Sequence, residues 1–127
     1  MTTEHGPGGK FSVEVKKRNA PAVVAVRGEI DLATAPQLKQ ALMKLLDESK
    51  TAVVDLSETS YVDSTGLGVL IGGLKRAREL GGDLKLAGLV PRVRRVFAIT
   101  RIGKVFEIYP SVEEALMGKQ DEGGATP

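Results

Sequence analysis

The chain changes hydrophobic period repeatedly along its length. Phe11, Val13 and Val15 alternate with Ser12, Glu14 and Lys16, which predicts a half-buried strand. "RNAP" reads as a turn, and "AVVAVRGEI" as a second, more central strand, because its apolar run is nearly continuous. These two strands are expected to pair as a hairpin. In "ATAPQLKQALMKLLDE" the spacing of Leu38, Ala41, Leu42 and Leu45 gives one helical face. Thr34 and Gln37 fit a capping box there, with Pro36 in the first turn. "TAVVDL" is a short β-branched strand, and "GLGVLIGGLKRAREL" returns to helical spacing through Leu67, Leu70, Ile71, Leu74 and Ala77, stopped by Gly81 and Gly82. "DLKLA" is a strand. "PRVRRVFAIT" is a short helix with Val93, Val96 and Phe97 inward and Arg92 and Arg95 outward. "VFEIY" is a last strand, followed by a helix that Ser111 and Glu114 cap.

The order β-β-α-β-α-β-α-β-α predicts an α/β fold: a single small domain whose five-stranded sheet is mainly parallel, with about four helices. Each β-α-β step is satisfied by a crossover between parallel strands, and the first strand lies antiparallel to the second. The ordered domain is expected over residues 11–117. Residues 1–10 and 118–127 are polar and rich in small side chains, and are expected to be flexible tails. How the helices divide between the two faces is not readable from the pattern.

Composition narrows the chemistry. With 127 residues, 42% hydrophobic and 27% charged, the chain has the material for one core. No apolar run approaches the ~20 residues of a membrane span, and no secretory signal is visible. A cytoplasmic location and no membrane partner are therefore expected. Cysteine is absent, which excludes disulfides, thiol nucleophiles and thiolate metal sites. The one histidine, His5, lies in the polar beginning, so a Ser-His-Asp triad lacks a positioned base. A net charge of +2 and five Phe plus Tyr give no case for nucleic acid. No metal site, cofactor or catalytic residue is expected.

Parallel strands put their carboxyl ends on one edge, where open α/β sheets carry their sites. "GEID" ends one such strand, and "DLSETSYVDSTG" follows its neighbour. Asp31, Asp63 and Ser64 should thus emerge together on one rim, with Leu89 and Val90 lining it. Ser64 opens a helix, where backbone N–H groups lack helical partners, and Gly66 and Gly68 leave room for another backbone or a phosphate to approach. A phosphate on Ser64 would bring a charge of roughly −1.5 to −2 beside Asp63. On the residues alone the same stretch also reads as a plain helix cap, and Asp31 as a turn residue. Arg92, Arg94, Arg95 and Arg101 read as a solvated helix face and loop, or as contacts for an acidic patch on a partner.

"VVDLSETSYVDSTGLGVLIGGLKRARELGGDLKLAGL" followed by "VFAITRIGKVFEIYPSVEEAL" resembles a bacterial anti-sigma factor antagonist, a STAS-domain protein, over about residues 11–117. That resemblance implies partner switching in a stress-type regulatory circuit. The unphosphorylated protein binds an anti-sigma factor that is also a serine kinase, and so frees a sigma factor for transcription. The kinase phosphorylates the serine of the D-S-T/S-G-L-G motif, here Ser64, and a serine/threonine phosphatase reverses the modification. Asp31 matches the aspartate of G-x-I-D on the kinase-facing surface; Asp63, Ser64, Thr65, Gly66, Leu67 and Leu89 complete the implied partner surface. The chain is then a phosphoryl acceptor rather than an enzyme, a monomer or weak homodimer. Alternative readings are a STAS subunit of a larger signalling or transporter assembly, a nucleotide- or lipid-sensing domain, or a hydrolase using Ser64.

Overall fold

The computed structural model describes residues 2–5 and 10–118. The chain runs β1 (Thr2–His5), β2 (Ser12–Lys17), β3 (Ala22–Ile30), α1 (Ala35–Ser49), β4 (Thr51–Val62), α2 (Ser64–Glu79), β5 (Asp83–Ala87), α3 (Pro91–Thr100), a 3-10 turn (Ile102–Lys104), β6 (Glu107–Tyr109) and α4 (Val112–Met117). One sheet holds the strands in the order β1-β2-β3-β4-β5-β6. The hairpin β2–β3 is antiparallel, and β3–β4, β4–β5 and β5–β6 are parallel, as the alternation of elements predicts. The stretch expected as an N-terminal tail adds an antiparallel edge strand, pairing Thr2–His5 with β2, so the sheet has six strands rather than five. The tail expected after residue 117 lies, beyond Gly118, outside the described residues.

Strand parity divides the helices. Val24 and Val26 of β3, Ala52, Val54 and Leu56 of β4, and Leu84 and Leu86 of β5 form the main core with Leu38, Leu42, Leu45 and Leu46 of α1 and Leu67, Leu70, Leu74 and Ala77 of α2. Val93 and Phe97 of α3 join this cluster, and Phe97 meets Phe106 edge-on at 5.9 Å. The opposite parity, Val23, Val53 and Ala87 with Tyr109, is covered by Ala115 of α4. Ile71, expected on the core stripe of α2, points outward instead.

The largest departure from the sequence pattern lies in β4. "SETSYV" continues the strand to Val62 instead of forming a loop. Between the register pairs Ala22–Ala52 and Ile30–Val62, β4 takes ten steps against eight in β3, absorbed at two irregularities. Thr59, fully buried, donates its hydroxyl to the Val26 carbonyl at 2.8 Å, so the polar side chain is satisfied inside the irregular stretch. The ladder to β5 stops at the Asp55–Ala87 pair, so the carboxyl end of β4 stands roughly 20 Å beyond that of β5 at ~3.3 Å per residue.

Helix α2 ends in a Schellman arrangement: Gly82 N–H donates to Ala77 O at 2.8 Å and Gly81 N–H to Arg78 O at 3.1 Å, with Gly81 at φ +87°. Gly82 then passes so close to the end of α1 that a Cβ would lie 2.0 Å from the Lys50 carbonyl oxygen. Gly82→Ala is therefore expected to lower unfolding free energy by at least about 1–3 kcal/mol, read from the urea midpoint at unchanged slope.

Candidate functional site

The rim at the far end of β3 and β4 is set by one backbone bond. Asp63 N–H donates to the Ile30 carbonyl at 3.0 Å, so the residues that follow the two strands start side by side. After Ile30 the chain turns through Asp31. The Asp31 Oδ1 accepts from Ala33 N–H and Thr34 N–H, each at 3.0 Å, and the Asp31 carbonyl accepts from Ala35 N–H at 2.7 Å. Thr34 donates its hydroxyl to the Glu29 carbonyl at 2.8 Å, and its Oγ1 accepts from Asp31 N–H at 2.9 Å. The capping box expected between Thr34 and Gln37 is not formed. Thr34, the N-cap of α1, makes no side-chain cap bond, because its oxygen is committed backward to the turn; the Asp31 carboxylate holds that turn rather than the helix.

After Val62 the strand passes into α2 through Asp63, whose backbone is extended at φ −96° and ψ −174°. Its Oδ1 accepts from Gly66 N–H at 2.9 Å, and its carbonyl accepts from Leu67 N–H at 2.9 Å. Asp63 is the N-cap. Ser64 is then the first helical residue, exposed, and its hydroxyl has no hydrogen-bond partner among the described residues. Capping thus explains the aspartate and leaves the serine without a structural task.

The glycines divide as well. A Cβ on Gly66 would lie 2.8 Å from the Ile30 carbonyl oxygen and 2.7 Å from Ile30 Cγ2, so this glycine lets the first turn of α2 rest on the end of β3. Gly66 is buried and serves internal packing, rather than the outward approach expected of it. Gly68 is exposed with nothing within 4 Å of its Cβ position, and does leave the surface open.

The structure thus brings Asp31, Asp63, Ser64 and Thr65 together on one rim, with Asp31, Asp63 and Thr65 partly exposed. Leu67 and Leu89, at 5% and 6% exposure, belong to the core and present little side-chain surface, and Val90 packs against it. The ladder to β5 ends well before β4 does, and the chain after β5 runs on beside the far half of β4, where Arg92 lies over the Tyr61 ring. Leu32, beside Asp31, is 74% exposed and was not singled out by the sequence pattern. Its signal was an apolar residue in a polar turn, off the stripe of α1. An open depression of about 460 Å³ flanks Asp31 between Lys10, Gly28, Thr34 and Ser60. No group of three or more His, Cys, Asp or Glu arranged to hold a metal ion occurs among the described residues, and no helix there is long and apolar enough to cross a membrane.

The STAS domain family model matches residues 12–115. The anti-sigma-B factor antagonist of Listeria monocytogenes is 42% identical over 100 residues, covering 77% of this chain and 88% of that one. The chain belongs to the STAS-domain family of anti-sigma factor antagonists. The anti-sigma-B factor antagonist of Bacillus subtilis is 38% identical over 98 residues, covering 77% of this chain and 90% of its own length. Among solved structures, an anti-sigma factor antagonist from Mycobacterium paratuberculosis superposes with a TM-score of 0.78 at 30% identity, covering 91% of this chain and 97% of that chain. The matched range of the STAS domain takes in the whole rim, from Asp31 to Ser64.

The division of roles on this rim is measurable by stability alone. Asp63→Ala is expected to cost about 1 kcal/mol through loss of the cap, whereas Ser64→Ala stays within about 0.5 kcal/mol of the parent. Gly66→Ala destabilises by about 1–3 kcal/mol through overpacking. Gly68→Ala, in open space within a helix, stabilises by up to about 1 kcal/mol. Thermal and urea melts of the four variants check the set.

Proposed function

We propose that this chain is an anti-sigma factor antagonist that works by partner switching at Ser64. In its unmodified form it holds an anti-sigma factor with serine kinase activity, and the sigma factor is released for transcription. The kinase ends the interaction by transferring a phosphoryl group: Ser64 Oγ bonds to the γ-phosphorus of ATP, the bond to the β,γ-bridging oxygen breaks, ADP leaves, and the serine proton passes to a base on the kinase. A serine/threonine phosphatase hydrolyses the ester and restores the binding form. The chain contributes an acceptor and a surface, ATP and magnesium belong to the kinase, and the exchange takes place in the cytoplasm.

The observation that carries this reading is the free, exposed hydroxyl of Ser64 beside a cap that Asp63 already supplies. A hydroxyl engaged in capping would have to break that bond to reach a kinase. Phosphate at this position gains about 0.3–1 kcal/mol from the start of the helix, so the domain tolerates it. A partner docked over the rim must bury the new anion next to Asp63, at a cost on the order of 2–5 kcal/mol, which is roughly 30- to several-thousand-fold in affinity. The modification therefore acts on the complex rather than on the fold. Leu32 supports the same reading, since its exposed side chain beside Asp31 offers a docked partner apolar area to cover.

Incubation with a cognate anti-sigma kinase and ATP, followed by peptide mass mapping, is expected to place one phosphate on Ser64 and none on the Ser64→Ala variant. Calorimetry should show Ser64→Asp binding that kinase at least ~30-fold more weakly. A phosphate found elsewhere, with Ser64→Ala still switched off, overturns the assignment. Leu32→Ser is expected to leave the melting temperature within a degree or two while weakening kinase binding by about tenfold.

A further inference from the structure

Charge pairing is uneven over the described surface. Arg18, Arg27 and Arg76 hold Glu48, Glu58 and Asp47 at 2.9, 2.7 and 2.9 Å, and Arg78 holds Asp83 at 3.4 Å. Arg92, Arg94, Arg95, Arg101 and Lys104 hold no carboxylate among the described residues. The cause is in the sequence, which has no Asp or Glu between Asp83 and Glu107. All five cations are exposed on α3 and the 3-10 turn that follows it. Ile99 stands among them, 72% exposed, although it lies on a helix that buries Val93 and Phe97. Arg92 is held in place over the Tyr61 ring, 4.9 Å from its centroid.

We propose that the outward face of α3 and the 3-10 turn is a docking surface for an acidic protein segment carrying an apolar residue that seats on Ile99. Unpaired like charges crowded on so short a stretch repel one another and draw counter-charge. Four of the five cations are arginines, whose planar fork grips a carboxylate at two points. Arginine is enriched and lysine depleted at protein interfaces. A phosphate also fits that fork, but the exposed face of α3 carries no aromatic platform for unpaired bases. A single isoleucine buries too little apolar surface to hold a bilayer. This surface acts through charge and one apolar contact, and does not depend on the modification state of Ser64.

The test is fluorescence anisotropy of a labelled Glu-Glu-Leu-Glu repeat peptide titrated with the full chain at two salt concentrations. The peptide is expected to bind, more weakly as salt rises. Arg94→Gln/Arg95→Gln/Arg101→Gln, which spares the Arg92 stack, should weaken binding at least about tenfold, and Ile99→Ser several-fold. Lys39→Gln/Lys44→Gln/Lys50→Gln removes equal charge from the region of α1 and should leave affinity unchanged. Circular dichroism melts establish that each variant is folded. The proposal is overturned if the peptide does not bind, if the arginine and lysine triples behave alike, or if phosphatidylserine vesicles or duplex DNA bind through these arginines more tightly than the peptide.

Discussion

One backbone hydrogen bond, from Asp63 N–H to the carbonyl of Ile30, decides where everything on the rim ends up. It closes the parallel ladder at its last rung, so β3 and β4 release their chains at the same height despite their unequal lengths. From there two aspartates each turn an Oδ1 back onto the backbone, Asp31 to hold the turn that leads into α1 and Asp63 to cap α2. Because the cap of α2 is provided by the Asp63 carboxylate, the first residue of that helix is released from any internal obligation. The availability of the Ser64 hydroxyl comes from this division of labour. Its hydroxyl is neither activated nor strained; it is unused.

That arrangement suits the phosphoryl-acceptor role proposed above. A residue that is modified and restored must change its charge without disturbing the scaffold. The scaffold here is insulated from Ser64 by the Asp63 cap and by the close seat of Gly66 on Ile30. Under that proposal the energetic effect of modification falls on whatever lies over the rim, where Leu32 and the open surface at Gly68 face outward.

Much of this was legible in the residues, and the exceptions share a cause. Alternation and helical spacing identify β2, α1 and α3 because each buries one face, and β3 stands out by a continuous apolar run because its first half is buried on both faces. The second half of β4 escapes because two extra residues break its alternation, leaving Thr59 inward between exposed Glu58 and Ser60. A buried threonine bonded to a carbonyl looks, in sequence, like any polar loop residue. Asp31, Asp63 and Ser64 were recognisable as neighbours because parallel topology alone aligns strand ends. Which of them caps and which stays free was not, since Asp, Ser and Thr are nearly interchangeable as caps and only the local backbone chooses among them. Leu89 follows a strand end as the pattern expects, but its side chain turns into the core rather than outward, which no spacing of apolar residues announces in so short a loop.

The strands lie in the sheet in the same sequence in which they occur along the chain. During synthesis each new strand finds its template already in place, so the sheet can lengthen one strand at a time as the polypeptide leaves the ribosome. No strand of the sheet has to be inserted between two others already paired, and each pairing spans no more than one crossover of the chain.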